Sequence, residues 1–330
     1  MSTPSFHKVC IYGAGAIGAW MGTRLARAGC EVSVVARGAT LEALIAQGLR
    51  CREGGSDVAV PVQASADAAT LGAQDMIIVA VKAPAMAEVA RGIAPLLGPR
   101  TVVLTAMNGV PWWFFQGFGG EYAGTTLQAI DPQGDIAAAI PAPQVIGCVV
   151  HASCALAGPG HGWHHFGNRL IIGEPSGQTS ERIQQLAALL ARAGFETELS
   201  TQIQKDIWYK LWGNMTVNPV SALTGATTDL IMDDELVRDF ISRVMYEAKD
   251  IGARIGIPIA QLPEDRHAVT RKLGAFKTSM LQDVEAGKAV ELDALVTVVK
   301  ELGALTQVPT PFTDALLGLA RLQARVRGLY

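Results

Sequence analysis

Residues 9–37 of the chain read Val-Cys-Ile-Tyr-Gly-Ala-Gly-Ala-Ile-Gly-Ala-Trp-Met-Gly-Thr-Arg-Leu-Ala-Arg-Ala-Gly-Cys-Glu-Val-Ser-Val-Val-Ala-Arg. An apolar run at 9–12 enters the spacing Gly-x-Gly-x-x-Gly at 13–18, and a helical pattern leads to a second apolar run at 32–36. This order predicts a strand, a glycine turn, a helix and a second strand. In such a turn the glycines permit the tight bend, the approach of a diphosphate and close packing of helix on strand. The phosphates would lie on the unpaired amides at the positive end of the helix. The predicted cofactor contacts are Gly13, Ala14, Gly15, Ala16, Ile17 and Gly18.

The residue that follows the second apolar run bears on which dinucleotide binds. Binders of the non-phosphorylated dinucleotide usually carry an acidic residue at the end of the second strand, where it accepts hydrogen bonds from the ribose. Here that strand ends Val-Val-Ala-Arg at 34–37, and the Arg37 guanidinium suits the 2′-phosphate of NADPH. The alternative is that Arg37 is a solvated loop residue and that Glu31 or Glu42 serves the ribose. The pattern favours NADP over NAD as cofactor.

Composition and charge argue against several classes of protein. A length of 330 residues suggests two domains, and a net charge of −3 with no basic block argues against a nucleic-acid or membrane-surface partner. No apolar run approaches the roughly 18–20 residues that span a bilayer, and the N-terminus lacks a signal-peptide pattern. The five cysteines lack CxxC spacing, as expected of thiols in a reducing compartment. We therefore expect a cytoplasmic enzyme that binds neither nucleic acid nor membrane.

The alternation of strands and helices continues to about residue 199 and then gives way to helices. Predicted elements are a helix at 40–47, strands within 49–62, 75–81, 101–106 and 144–174, a helix at 180–193, a strand at 196–199, and helices at 201–223, 235–255, 290–302 and 312–325. The fold class is therefore α/β, with a Rossmann-type doubly wound domain at 1–199 followed by an all-α domain at 200–330.

Two polar residues follow the predicted parallel strands. Lys82 comes directly after the apolar run at 75–81, and Asn108 follows the run at 101–106. Because ligands of open parallel sheets bind beyond the carboxyl ends of the strands, both are expected at the edge that carries the glycine turn. Lys82 could instead be a solvated strand end, and Asn108 a turn former before a glycine. Their shared position favours a function for both.

The segment 204–219 carries a polar stripe on an otherwise apolar helix. Lys210, Asn214 and Asn218 are four residues apart and therefore share one helix face. Such groups are costly in a core unless they have partners. The stripe is either a solvated helix face or the floor of a polar cleft.

The chain resembles the ketopantoate reductases (2-dehydropantoate 2-reductases) over nearly its whole length. The order and spacing of many short motifs carry the resemblance. They are Gly-Ala-Gly-Ala-Ile-Gly at 13–18, Val-Lys at 81–82, Asn-Gly at 108–109, Pro-Gly at 159–160, Arg-Leu-Ile-Ile-Gly-Glu at 169–174, Trp-Tyr-Lys-Leu at 208–211, Asn214, Asn-Pro at 218–219, Thr-Ser-Met-Leu-Gln-Asp at 278–283 and Glu-Leu-Asp at 291–293.

The resemblance implies a two-domain reductase and assigns roles to particular residues. It implies that Lys210 is the general acid and that Glu291 lies beside the lysine and the substrate. It implies that Lys82 and Asn108 lie near the nicotinamide and its ribose. The residues implied to contact substrate are Asn108, Asn214, Asn218 and Ser279.

These residue types suit the implied chemistry. Hydride transfer to a 2-keto carbon leaves negative charge on the oxygen, which a protonated amine stabilises before donating its proton. A nearby carboxylate such as Glu291 favours the charged form of Lys210. No metal is required, and His161, His164 and His165 lack carboxylate or cysteine companions at ligand spacing, so we interpret them as a polar strand region.

Two segments depart from the family pattern. An aromatic cluster, Trp-Trp-Phe-Phe at 112–115, stands where the family commonly has small and polar residues. Ala-Leu-Val-Thr at 294–297 replaces the family's usual Tyr-Leu-Asn-Gly. Each departure is explained either by core packing or by a bulkier, more apolar substrate site.

Three functions are compatible with these patterns. The first is NADPH-dependent reduction of ketopantoate in pantothenate biosynthesis. The second is a paralogous NADP-linked dehydrogenase acting on another 2-keto or 2-hydroxy acid. The third is a dinucleotide-binding sensor without turnover, against which the joint presence of Lys210 and Glu291 argues. A homodimer is compatible with the sequence.

Overall fold

The structure is a computed structural model that describes residues 6–330. Its internal contacts divide the chain into two compact units. The first comprises residues up to 107 together with 134–203, and the second comprises 108–133 together with 204–330. The sequence predicts one domain boundary, after residue 199. The division seen here differs from it, because the segment 108–133 packs with the later helices.

The first unit is built on one ten-stranded sheet. Its strands are β1 (Lys8–Tyr12), β2 (Glu31–Val35), β3 (Leu49–Glu53), β4 (Ser56–Val60), β5 (Gln63–Ser65), β6 (Met76–Val79), β7 (Val102–Thr105), β8 (Val145–Gly158), β9 (His161–Gly173) and β10 (Glu196–Leu199). Their order is β4-β3-β9-β8-β7-β6-β1-β2-β5, and β10 pairs with β9. Its helices are α1 (Ala16–Arg27), α2 (Gly38–Gln47), α3 (Met86–Gly92), α4 (Asp135–Ala139) and α5 (Glu181–Arg192).

The centre of the sheet is parallel and buried. Strands β6 and β7 are buried at every position, as are the last four residues of β1, which matches their unbroken apolar sequences. The chain order reverses at β1, which pairs in parallel with β2 on one side and with β6 on the other. Ligands of open α/β sheets bind at such a reversal, beyond the carboxyl ends of the strands.

The second unit is helical. Its helices are α6 (Ile203–Thr224), α7 (Thr228–Asp233), α8 (Glu235–Arg254), α9 (Pro263–Arg271), α10 (Ser279–Glu285), α11 (Val298–Thr306) and α12 (Pro311–Val326). A π-helical turn, Asp293–Thr297, directly precedes α11. The indole rings of Trp208 and Trp212 on α6 are almost fully buried. Among residues 6–330, no helix is long and apolar enough to cross a membrane.

The predicted fold class is confirmed, since an N-terminal Rossmann-type sheet is followed by helices. The helix predicted over 290–302 begins at Leu292 in the structure and contains the π-helical turn at Asp293–Thr297 before α11 starts at Val298.

Candidate functional site

The glycine turn lies at the reversal point of the sheet. Gly13 has a φ of 99° and, if it carried a Cβ, that atom would lie 2.6 Å from Cγ1 of Val81. A Cβ on Gly18 would overlap the carbonyl oxygen of Gly13, so the third glycine is required for α1 to pack on β1. A Cβ on Gly15 would meet only the carbonyl oxygen of Ala80, at 3.9 Å, and the space above Gly15 is therefore open to a ligand.

The first turn of α1 suits an anion. Gly15 occupies the N-cap position without a side-chain cap, and the first turn carries no acidic residue. The unpaired amides and the positive end of the helix dipole are favourable for a diphosphate. The turn thus fits the dinucleotide that the sequence predicts.

Arg37 follows β2 and pairs with an acid that is distant in sequence. Its guanidinium lies 2.6 Å from Oε2 of Glu88 on α3, and both side chains are substantially exposed. Glu31, one alternative ribose ligand, is the first residue of β2 and pairs with Lys8 at the start of β1. It therefore lies at the amino ends of these strands, away from the glycine turn. Glu42 lies on the exposed side of α2. Glu88 is a residue that the sequence analysis missed, and no local pattern marks it as Arg37's partner.

Lys82 lies where the sequence predicts, at the carboxyl end of β6. It is half-buried, and it precedes a short 3-10 turn at Ala83–Ala85 that contains Pro84. Because β2 and β6 both flank β1 in parallel, Arg37, Lys82 and the glycine turn share one edge of the sheet.

The second unit brings Lys210 and Asn108 into direct contact. Nζ of Lys210, on α6, donates a hydrogen bond of 2.9 Å to Oδ1 of Asn108. The lysine is half-buried, and the residues that precede it on α6, Trp208 and Ile207, are buried. An asparagine oxygen is only an acceptor, so this bond orients the amino group of Lys210.

The remaining predicted site residues differ in exposure. Asn218 and Glu291 are only 7% and 6% exposed, and Asn214 is half-buried, so the polar stripe of α6 is not a solvated face. Ser279 is exposed at the first position of α10, which Thr278 caps by accepting from the amide of Leu281. Buried polar side chains such as Asn218 and Glu291 require hydrogen-bond partners or a polar ligand.

The aromatic cluster at 112–115 forms core in the second unit. All four side chains are at most 4% exposed. Phe114 packs edge-on against Phe115 and Phe118, with ring centroids 5.2 and 5.8 Å apart, and reaches Trp208 on α6 at 6.4 Å. The structure therefore supports core packing as the explanation of this departure from the family pattern.

The three histidines after the turn at 158–160 contact other side chains of the first unit. His161 lies 3.1 Å from Oδ1 of Asp57, His164 stacks on Trp20 with centroids 5.0 Å apart, and His165 packs against Trp163. Across residues 6–330, no group of three or more His, Cys, Asp or Glu side chains is arranged to hold a metal ion.

Two family models and a curated relative match most of the chain. Family models match residues 9–177, as Ketopantoate reductase PanE/ApbA, and residues 202–324, as Ketopantoate reductase PanE/ApbA C terminal. A curated relative from Mesorhizobium japonicum, named 2-dehydropantoate 2-reductase, is 46% identical over 324 residues, which cover 98% of this chain and 99% of the relative.

Solved structures show the same similarity. A crystal structure of a candidate ketopantoate reductase from Ralstonia solanacearum MolK2 is 59% identical, covers 99% of this chain and 100% of its own, and superposes with a TM-score of 0.96. A ternary structure of D-mandelate dehydrogenase with NADH and anilino(oxo)acetate shares the fold, with a TM-score of 0.84 at 20% identity and 98% and 100% coverage of the two chains. The chain therefore belongs to the ketopantoate reductase family.

Proposed function

We propose that this protein reduces 2-dehydropantoate (ketopantoate) to pantoate with NADPH, as a step of pantothenate biosynthesis in the cytoplasm. The observation that carries the proposal is the hydrogen bond of 2.9 Å from Lys210 to Asn108, two residues that stand in the family's motifs. The full-length relative named 2-dehydropantoate 2-reductase, 46% identical, supports the choice of substrate.

Features of the first unit support NADPH as the cofactor. The open space above Gly15 and the uncapped first turn of α1 fit a dinucleotide diphosphate. The solved structure of D-mandelate dehydrogenase with NADH supports a nicotinamide dinucleotide. Arg37 provides the positive charge for a 2′-phosphate, which favours NADPH. When bound, the reduced nicotinamide supplies the hydride.

Lys210 acts as the proton donor in this proposal. Its ammonium would bind the keto oxygen, stabilise the charge that develops there and then transfer a proton to it. Asn108 holds the ammonium by its amide oxygen, and the Glu291 carboxylate favours the protonated form. The polar groups that we propose to bind the substrate's carboxylate and hydroxyl are Asn108, Asn214, Asn218 and Ser279.

The experiment that tests the proposal is a kcat/KM measurement for ketopantoate with NADPH. We expect about 10⁴ M⁻¹s⁻¹ or more, within the ordinary range of enzymes, and lower values for phenylglyoxylate and 2-ketoisovalerate. Turnover of another 2-keto acid in preference to ketopantoate would instead indicate a paralogous dehydrogenase. NADPH binding with no turnover of any 2-keto acid would indicate a dinucleotide sensor. The homodimer stays a prediction, which light scattering of the same preparation tests.

A further inference from the structure

The π-helical turn at Asp293–Thr297 begins two residues after Glu291. In a regular α-helix the amide of Val298 would donate to the carbonyl of Ala294, four residues back. Here that amide donates to the carbonyl of Asp293, five residues back. The shift leaves the Ala294 carbonyl available to a partner outside the helix, and turns of this kind are frequent at functional sites.

That partner is the loop that carries Asn108. The amide of Val110 donates a hydrogen bond of 3.0 Å to the carbonyl oxygen of Ala294. Gly109, between Asn108 and Val110, has a φ of 82°, and a Cβ on it would overlap the Ala294 carbonyl and lie 2.7 Å from the Ala294 Cβ. Only glycine satisfies both the backbone conformation and the close approach.

The same turn also anchors the segment of Glu291. The amide of Leu295 donates to the carbonyl of Glu291 at 3.2 Å. The Asp293 carboxylate accepts hydrogen bonds from Thr297, at 2.8 Å, and from the Tyr330 hydroxyl, at 2.7 Å. One short element is therefore bonded both to the backbone of Glu291 and to the loop whose Asn108 holds Lys210.

We infer that this π-helical turn is a positioning element of the reductase, with Gly109 and Ala294 as positioning residues that hold Asn108 against Lys210. The inference rests on the proposed function, since it concerns the same lysine. Neither residue is a catalytic residue here; each acts through the Asn108 side chain. Because a misplacement of about 1 Å in a reacting group can cost about 100-fold in rate, loss of this contact affects turnover.

Gly109→Ala tests the inference, with Gly124→Ala as its matched control. Gly124 lies in the same segment with a φ of 81° and has no atom within 4 Å of an added Cβ, so its variant carries the backbone strain without the contact to Ala294. We expect Gly109→Ala to lower kcat about 10- to 100-fold. The alkaline limb of its kcat–pH profile should also move to lower pH, because the charged lysine loses an acceptor. Gly124→Ala should retain the wild-type kcat and profile.

A second variant tests the same contact if Gly109→Ala does not fold. Ala294→Val adds methyl groups next to Gly109 from the helix side and leaves the loop's own backbone preferences unchanged, and we expect the same fall in kcat and the same shift of the profile. Equal kcat losses in Gly109→Ala and Gly124→Ala, or an unshifted profile in Gly109→Ala and Ala294→Val, would overturn the inference. If the wild type does not reduce ketopantoate, the proposed function fails by itself. Crystal structures still test the positioning in that case, since the distance from Lys210 Nζ to Asn108 Oδ1 must lengthen in Gly109→Ala and Ala294→Val.

Discussion

Nζ of Lys210 lies 2.9 Å from Oδ1 of Asn108, although 102 residues separate the two in the chain. The lysine is presented by α6, and the asparagine by a loop that packs with the helices of the second unit. A neutral acceptor orients an ammonium group without taking its proton. The contact therefore suits a lysine that delivers a proton to a substrate oxygen.

The glycine turn predicts opposite outcomes for two alanine substitutions. A Cβ at Gly18 overlaps the Gly13 carbonyl, whereas a Cβ at Gly15 has only one protein atom near it, at 3.9 Å. Gly18→Ala should lower the free energy of unfolding by about 1–3 kcal/mol, as expected of overpacking. Gly15→Ala should leave that free energy nearly unchanged and raise the Kd for NADPH about tenfold or more, a loss of about 1.4 kcal/mol in binding. Urea unfolding and fluorescence titration measure the two effects. A Gly15→Ala variant that binds NADPH normally would contradict the placement of the diphosphate.

Arg37→Ala tests the preference for the phosphorylated cofactor. We expect the KM for NADPH to rise and that for NADH to stay nearly unchanged, because only NADPH carries the 2′-phosphate. Steady-state kinetics with both cofactors measure the split, and the effect on NADPH should weaken at high salt, since Arg37 is exposed. A similar rise for both cofactors would contradict the assignment.

Glu88→Gln should change cofactor binding in the opposite direction. Glu88 pairs with Arg37 at 2.6 Å and therefore competes with a bound 2′-phosphate for the guanidinium. Its removal should lower the Kd for NADPH by about two- to fivefold, which is the scale of an exposed ion pair. Isothermal titration measures the change, and the same substitution in an Arg37→Ala background serves as the control, where no change is expected. An unchanged Kd in the single variant would show that Glu88 does not compete for Arg37.

His267 predicts an acid-dependent loss of stability. Its side chain is 4% exposed on α9, and burial lowers its pKa below the usual 6.5. The unfolded chain therefore binds a proton that the folded protein does not, and stability is lost as pH falls below about 6.5 toward the folded pKa. His267→Leu should remove this dependence, so its unfolding free energy should fall less than that of the wild type between pH 7.5 and 5.5. Parallel slopes for the two proteins in urea unfolding would mean that His267 is not neutral in the fold.

Local patterns in the sequence were sufficient to predict the first strand, the glycine turn, the helix and the second strand. The period of the apolar residues and the spacing of the glycines are contained within 9–37. The polar stripe of α6 could also be predicted from the sequence. Its burial could not, because exposure depends on what packs against the helix. The roles of Asn214, Asn218, Ser279 and Glu291 stay predictions.

Three features had no local signal. The π-helical turn at Asp293–Thr297 has only five residues, too few for their apolar pattern to distinguish a π-helical turn from an α-helical one. The pair Arg37–Glu88 spans 51 residues, so no periodicity links its members. The aromatic residues at 112–115 were recognisable as core material, but nothing in their order indicated that they pack with α6.

The role of Lys210 as proton donor is tested most directly by the single-turnover rate of ketopantoate reduction in Lys210→Met. Methionine keeps the length of the side chain and removes the ammonium, and Lys205→Met, at an exposed position of the same helix, is the control. We expect Lys210→Met to lower this rate about 10²- to 10⁴-fold, the contribution of a general acid, with the Kd for NADPH nearly unchanged and Lys205→Met unaffected. A rate within a few-fold of the wild type, or an equal loss in NADPH binding, would contradict it.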